Sequence, residues 1–147
     1  MKIRIIKEAK YGVIALGQDL EAFANKNGLN FKKLSSEKKP GSYGSSISYS
    51  FYQIGDKYAL IKYSTVPGAP RLNELRFYIL DQPNTSAKVL ASVSYVEDFS
   101  YVQNALEKAG LKSSENVETW DKVKIAQLIK DLRKDKSINK FDDAQAF

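Results

Sequence analysis

The 147-residue chain contains no cysteine and no histidine. Without cysteine there is no disulfide framework, no thiolate zinc site and no cysteine nucleophile. A reducing, cytoplasmic setting fits that composition. Without histidine the usual proton shuttle near neutral pH is missing, and so is the commonest metal-ligating side chain. Serine–histidine triads and histidine-held zinc are thereby excluded. Carboxylate-held magnesium or calcium is the metal chemistry left open. Long apolar runs are also missing: nothing approaches the roughly 18 residues that a membrane-spanning helix needs. The opening stretch MKIRIIKEAKYGVIALG has early positive charge, but Lys7, Glu8 and Lys10 interrupt its apolar residues. It is expected to be folded structure and not a secretion signal.

What is present is apolar content of 43%, enough for one core in a chain of this size, and a formal charge of +6. The surplus is uneven. Residues 1–34 carry seven Lys/Arg against three acids, residues 35–96 seven against four, and residues 97–147 nine against ten. Within the last third, residues 122–140 hold seven basic residues and two acids. A basic balance favours nucleic acid or an acidic protein as partner. It also serves plain solubility.

The middle of the chain has the strongest pattern. Ile47–Ile54 alternates Ile47, Tyr49, Phe51 and Gln53 with Ser48, Ser50, Tyr52 and Ile54. That two-residue period is the mark of a strand. Gly55-Asp56 is a tight turn, and Lys57–Ser64 returns as the partner strand. Glu74–Leu80 places Leu75, Phe77 and Ile79 on one face and Arg76 and Tyr78 on the other. Lys88–Val96 is a further strand, with Val89, Ala91, Val93 and Tyr95 pointing one way. Residues 2–6 and 29–33 are candidates for additional strands. Ser35–Ser46 and Thr65–Asn73 read as loops, rich in serine, proline and glycine.

Helices are expected at 18–27, 99–109 and 120–134. The first has Leu20, Phe23 and Ala24 on one side, with acids Asp19 and Glu21 in its first turn and Gly28 past its end. The second is capped by Asp98 or Ser100 and closed by Gly110. The third combines an apolar stripe (Val123, Ala126, Leu128, Ile129, Leu132) with a basic face. The expected fold is a single α+β domain over residues 1–147: a mainly antiparallel sheet of four to six strands covered by about three helices, mainly on one face, with residues 135–147 as a loosely packed tail.

The candidate contacts follow from where charge and aromatic rings coincide. On the sheet they are Lys57, Lys62, Arg71, Arg76 and Tyr78, with Tyr52 and Tyr63 nearby. In the first loop they are Lys38, Lys39 and Tyr43. On the third helix they are Lys130 and Arg133. Tyrosine rings can stack on bases while Lys and Arg meet phosphates, so a non-catalytic nucleic-acid-binding protein is the favoured expectation. The alternative is a protein-binding inhibitor or scaffold acting on an acidic partner, with the Pro67–Arg71 loop protruding. A homodimer through an open sheet edge belongs to that class. A metal-dependent nuclease-like enzyme ranks third. Glu97-Asp98 is a local carboxylate pair for it, although helix capping explains acids there equally well. No cofactor or metal site is expected, and no phosphate-binding glycine pattern occurs. The two leading readings separate on one property. Stacking requires the Arg76/Tyr78 face to be exposed to water.

Overall fold

The computed structural model describes residues 11–40, 44–68, 73–83 and 87–115, together with residues 123, 126–128 and 130 of a third helix. Helix α1 (Val13–Lys26) leads into a meander of five strands: β1 (Phe31–Pro40), β2 (Ser46–Ile54), β3 (Lys57–Thr65), β4 (Glu74–Leu80) and β5 (Val89–Val93). Helix α2 (Phe99–Ala109) follows. The sheet is antiparallel throughout, and its spatial order is the chain order, β1-β2-β3-β4-β5. The α+β class, the antiparallel sheet and the helices agree with the sequence pattern.

Each central strand carries two apolar sets, one per face, and both faces are buried. On the first face Tyr52, Ile54, Ala59, Ile61, Phe77 and Ile79 meet Leu16, Leu20 and Ala24 of α1 and Val102, Ala105 and Leu106 of α2. On the second face Ile47, Tyr49, Phe51, Leu60, Tyr78 and Leu80 form a separate core, which Leu128 of the third helix joins. Helices α1 and α2 thus share the first face, as expected, and Leu128 of the third helix reaches the second. Val123, expected in the apolar stripe of the third helix, is exposed, whereas Leu128 is fully buried.

Three boundaries differ from expectation, each for a physical reason. Helix α1 begins at Val13 because Gly17 lies inside it. A Cβ at Gly17 would come within 3.2 Å of the Tyr52 hydroxyl, so the glycine marks close helix–sheet approach and not a stop. Asp19 and Glu21 are consequently not in the first turn. Tyr11 donates a short hydrogen bond to Asp19 instead. Strand β1 continues through most of the stretch read as a loop, up to Pro40. Its lysines and serines bury little, but their backbone pairs with β2 from Phe31↔Ile54 to Pro40↔Ser46, across an irregularity at Lys33/Ser35. Finally, β5 ends at Val93, and a register shift between Ile79 and Leu80 sends Val89 to the second core while Ala91 and Val93 face the first.

The β2–β3 turn is a junction. Gly55 N donates to Asn30 O at 2.8 Å, Lys112 N donates to Asp56 Oδ1 at 2.9 Å, and the buried Gln53 Nε2 donates to Glu115 O at 2.6 Å. The first ties the hairpin tip to the segment before β1, and the other two fasten the segment after α2 to it. Partial burial raises the Asp56 carboxyl, but the hydrogen bonds from Lys57 and the Lys112 amide outweigh it and hold the group below the ordinary aspartate range. A depressed folded-state value means stabilisation that is complete above the unfolded value, about 3.9, and lost as pH falls through the folded one. The parent is therefore expected to lose stability relative to Asp56→Asn as pH drops below about 4. Urea melts at stepped pH check this, and parallel curves for the two proteins would refute it.

Candidate functional site

Three of the sheet residues expected to stack and bind, Lys62, Arg76 and Tyr78, are inside the protein. Lys62 is 2% exposed, Arg76 1% and Tyr78 1%. Register explains how they come together. Glu37, Tyr49, Lys62 and Arg76 lie opposite one another across β1, β2, β3 and β4, forming one row on the second face. Arg76 Nη2 and Nε donate to Glu74 Oε1 at 2.6 and 3.1 Å. Glu74 Oε2 accepts from the Tyr95 hydroxyl at 2.8 Å, and the Arg76 guanidinium stands 5.8 Å from the Tyr95 ring centroid. Lys62 Nζ lies 6.0 Å from the Tyr49 ring centroid. The network is buried at Lys62 and Arg76 and reaches the surface at Tyr95, which is 57% exposed. A base cannot stack on Tyr78, and a phosphate cannot reach Lys62 or Arg76, without opening the core. Stacking on the Arg76/Tyr78 face therefore falls, because charge in the sequence was equated with exposure.

The phenols have no activated member among those that shift. Burial raises Tyr52, Tyr58 and Tyr78, the last against the opposing pull of Arg76. The hydrogen bond to Glu74 raises Tyr95, and that to Glu97 raises Tyr101. Burial, then Asp19, raises Tyr11. All six stay protonated at neutral pH, suited to donating hydrogen bonds and not to proton abstraction or attack. The Glu97-Asp98 pair is engaged locally. Asp98 caps α2 by accepting from Ser100 N at 2.8 Å and from the Ser100 hydroxyl, and Glu97 accepts from Tyr101 at 3.2 Å. Among the described residues, no group of three or more carboxylates could hold a metal ion.

The remaining candidates scatter. Lys57 pairs with Asp56 at 2.9 Å beside the hairpin turn. Lys130 is exposed on the third helix. Tyr43, Arg71 and Arg133 lie outside the described residues. Of the Thr65–Asn73 loop, the base is clear: Asn73 Oδ1 accepts from Val66 N at 2.8 Å, and its amide donates to the Tyr63 hydroxyl at 3.3 Å. No helix among the described residues is long and apolar enough to cross a membrane.

Among the described residues an exposed basic surface lies instead on β1. This strand contains Lys32, Lys33, Lys38 and Lys39 against the single acid Glu37. Lys33, Ser36 and Lys38 are exposed and oppose Tyr52, Ser50 and Ser48, which places them on the face that carries α1 and α2. Ser48 in turn opposes Tyr63, so the corner beyond the helices is made of lysines and hydroxyls. Lys39 points to the other face and pairs with Glu37 at 3.4 Å. Phe31 anchors the start of the strand by stacking on Tyr52, with centroids 5.3 Å apart. β1 is an outer strand of the sheet. In the sequence Lys38 and Lys39 stand in a stretch that reads as a loop, and Lys33 is not among the candidate contacts. The paired Lys-Lys steps at 32–33 and 38–39 were the available signal.

Comparison of the chain with protein-family models, with curated proteins and with solved structures finds no match.

Proposed function

We propose that the protein is a non-catalytic binding module whose target is an acidic surface on another protein, engaged through the lysines of β1. One observation carries this reading: exposed Lys33 and Lys38 stand together on an outer strand, whereas Lys62, Arg76 and Tyr78 are enclosed. Lysine suits the role because it offers point charge without the planar fork that reads bases or grips phosphates in pairs. Charge complementarity of this kind raises the rate and specificity of encounter. The upward-shifted tyrosines and the capping role of Asp98 support binding over chemistry.

The test is fluorescence polarisation with labelled polyglutamate and with single- and double-stranded DNA and RNA, at two salt concentrations. Parent protein and K33E/K38E are compared. The expected result is salt-sensitive binding of polyglutamate that weakens about tenfold in the variant, as exposed ion pairs of modest individual strength would give. Tighter binding to a nucleic acid, steeply weakened by salt, would replace this reading with the nucleic-acid one. No binding to any probe at low salt would overturn both.

A further inference from the structure

We infer that the acidic partner adds to the sheet as an extra strand along β1, in extended conformation, with its acids alternating on the face of Lys33 and Lys38. This rests on the reading above and specifies its mode.

The β2–β3 hairpin fixes which backbone groups of β1 face outward. The two-residue turn Gly55-Asp56 sets Ile54 opposite Lys57, so the even-numbered residues of β2 direct their backbone groups to β3. The odd-numbered residues Ile47, Tyr49 and Phe51 direct theirs to β1, where they oppose Lys39, Glu37 and Ser35. The backbone N–H and C=O groups of Ser36 and Lys38 then project from the outer edge. Pro40 falls in the same alternation and has no N–H, so a ladder on this edge ends there. The side chains of Ser36 and Lys38 are exposed on one face, beside Lys33. An incoming strand would thus meet backbone groups that pair with no other strand among the described residues, together with the positive charge of Lys33 and Lys38.

Charge decides the occupant. Pairing β1 with β1 of a second copy would bring lysines against lysines, and like charges directly opposite are unfavourable. Edge lysines are a known guard against such self-pairing. An acidic strand turns the same guard into an attraction, and main-chain bonds supply the rest of the affinity. The opposite edge offers less. β5 spans five residues, against ten for β1.

The experiment titrates the protein with a labelled alternating Glu-Val peptide of about ten residues, long enough to span β1. Two further peptides carry N-methyl groups, one on every glutamate nitrogen and one on every valine nitrogen. In a strand, alternate nitrogens face one edge, so one methylated set is expected to lose affinity about tenfold or more and the other to keep it. Loss on the glutamate set means antiparallel addition; loss on the valine set means parallel addition. Ser36→Pro, which removes one outward N–H, is expected to weaken the unmethylated peptide similarly, and K33E/K38E to weaken all three. If neither methylated set nor Ser36→Pro loses affinity while K33E/K38E does, strand addition is wrong and the acidic-surface reading stands. If K33E/K38E also binds like the parent, both fail. Should Ser36→Pro not fold, the two methylated peptides decide alone.

Discussion

Gly55→Ala is expected to destabilise the fold by about 3–4 kcal/mol, roughly twice the cost of Gly28→Ala or Gly110→Ala. The three glycines share a left-handed backbone, with φ of 60°, 67° and 67°. That conformation alone costs a residue with a Cβ about 1–2 kcal/mol. Their surroundings differ. A Cβ at Gly28 or Gly110 meets nothing within 4 Å, whereas at Gly55 it would lie 2.4 Å from the Lys112 carbonyl oxygen and 3.1 Å from Leu29 Cδ2. Backbone cannot rotate aside as a side-chain tip can. Relief requires moving the segment that is hydrogen-bonded to Asp56 and Gln53. Overpacking of this kind adds about 1–3 kcal/mol. Gly55→Asn separates the two contributions, since asparagine tolerates the left-handed region but still carries a Cβ. It should remain nearly as destabilising as alanine. Denaturant unfolding of the four variants checks the ranking, with midpoints falling and slopes unchanged. A Gly55→Ala cost no larger than that of Gly28→Ala would mean that the segment at Lys112 does not sit against the turn.

The central strands were legible because burial there is periodic. In β2, β3 and β4 apolar residues alternate by face, and a two-residue period leaves little freedom of assignment. β1 was not legible as a strand beyond residue 33. An outer strand is held by ladder bonds to one neighbour, and those bonds leave no trace in side-chain hydrophobicity. Its lysines, which read as a mobile basic loop, suit an edge that must not pair with itself. The start of α1 was obscured by Gly17, whose purpose is visible only with Tyr52 beside it. The charged row was hidden for a different reason. Glu37, Tyr49, Lys62 and Arg76 are far apart in sequence, and only the register of three strand pairs lines them up. Each basic residue, taken alone, sits among tyrosines in a way that a wet binding face would also produce. Cross-strand neighbours are the unit that decides a sheet surface, and one sequence does not give them.

Arg76→Ala is expected to cost about 3–5 kcal/mol, the range for breaking a buried ion pair by removing one partner. The Arg76 side chain is 2% exposed, and that of Glu74, which holds it, is partly exposed, at 16%. Truncation leaves that carboxylate with the Tyr95 hydroxyl but without its cation, and it opens a void beside Tyr78. Arg76→Met restores most of the volume and none of the charge, so the gap between the alanine and methionine variants measures packing. Glu74→Ala removes the carboxylate from the guanidinium in turn. The double variant E74A/R76A should therefore cost less than the sum of the singles, by about 1–3 kcal/mol. Binding of the acidic peptide should be the same in Arg76→Met as in the parent, because an enclosed residue cannot touch a ligand at β1. A cost below about 1 kcal/mol for Arg76→Ala, typical of an exposed pair, would mean that the second face opens to water in solution. The Arg76 and Tyr78 surface would then be accessible after all, and nucleic acid would again be the first ligand to test there. A large cost with unchanged peptide binding assigns Arg76 to stability and leaves recognition to the outer strand.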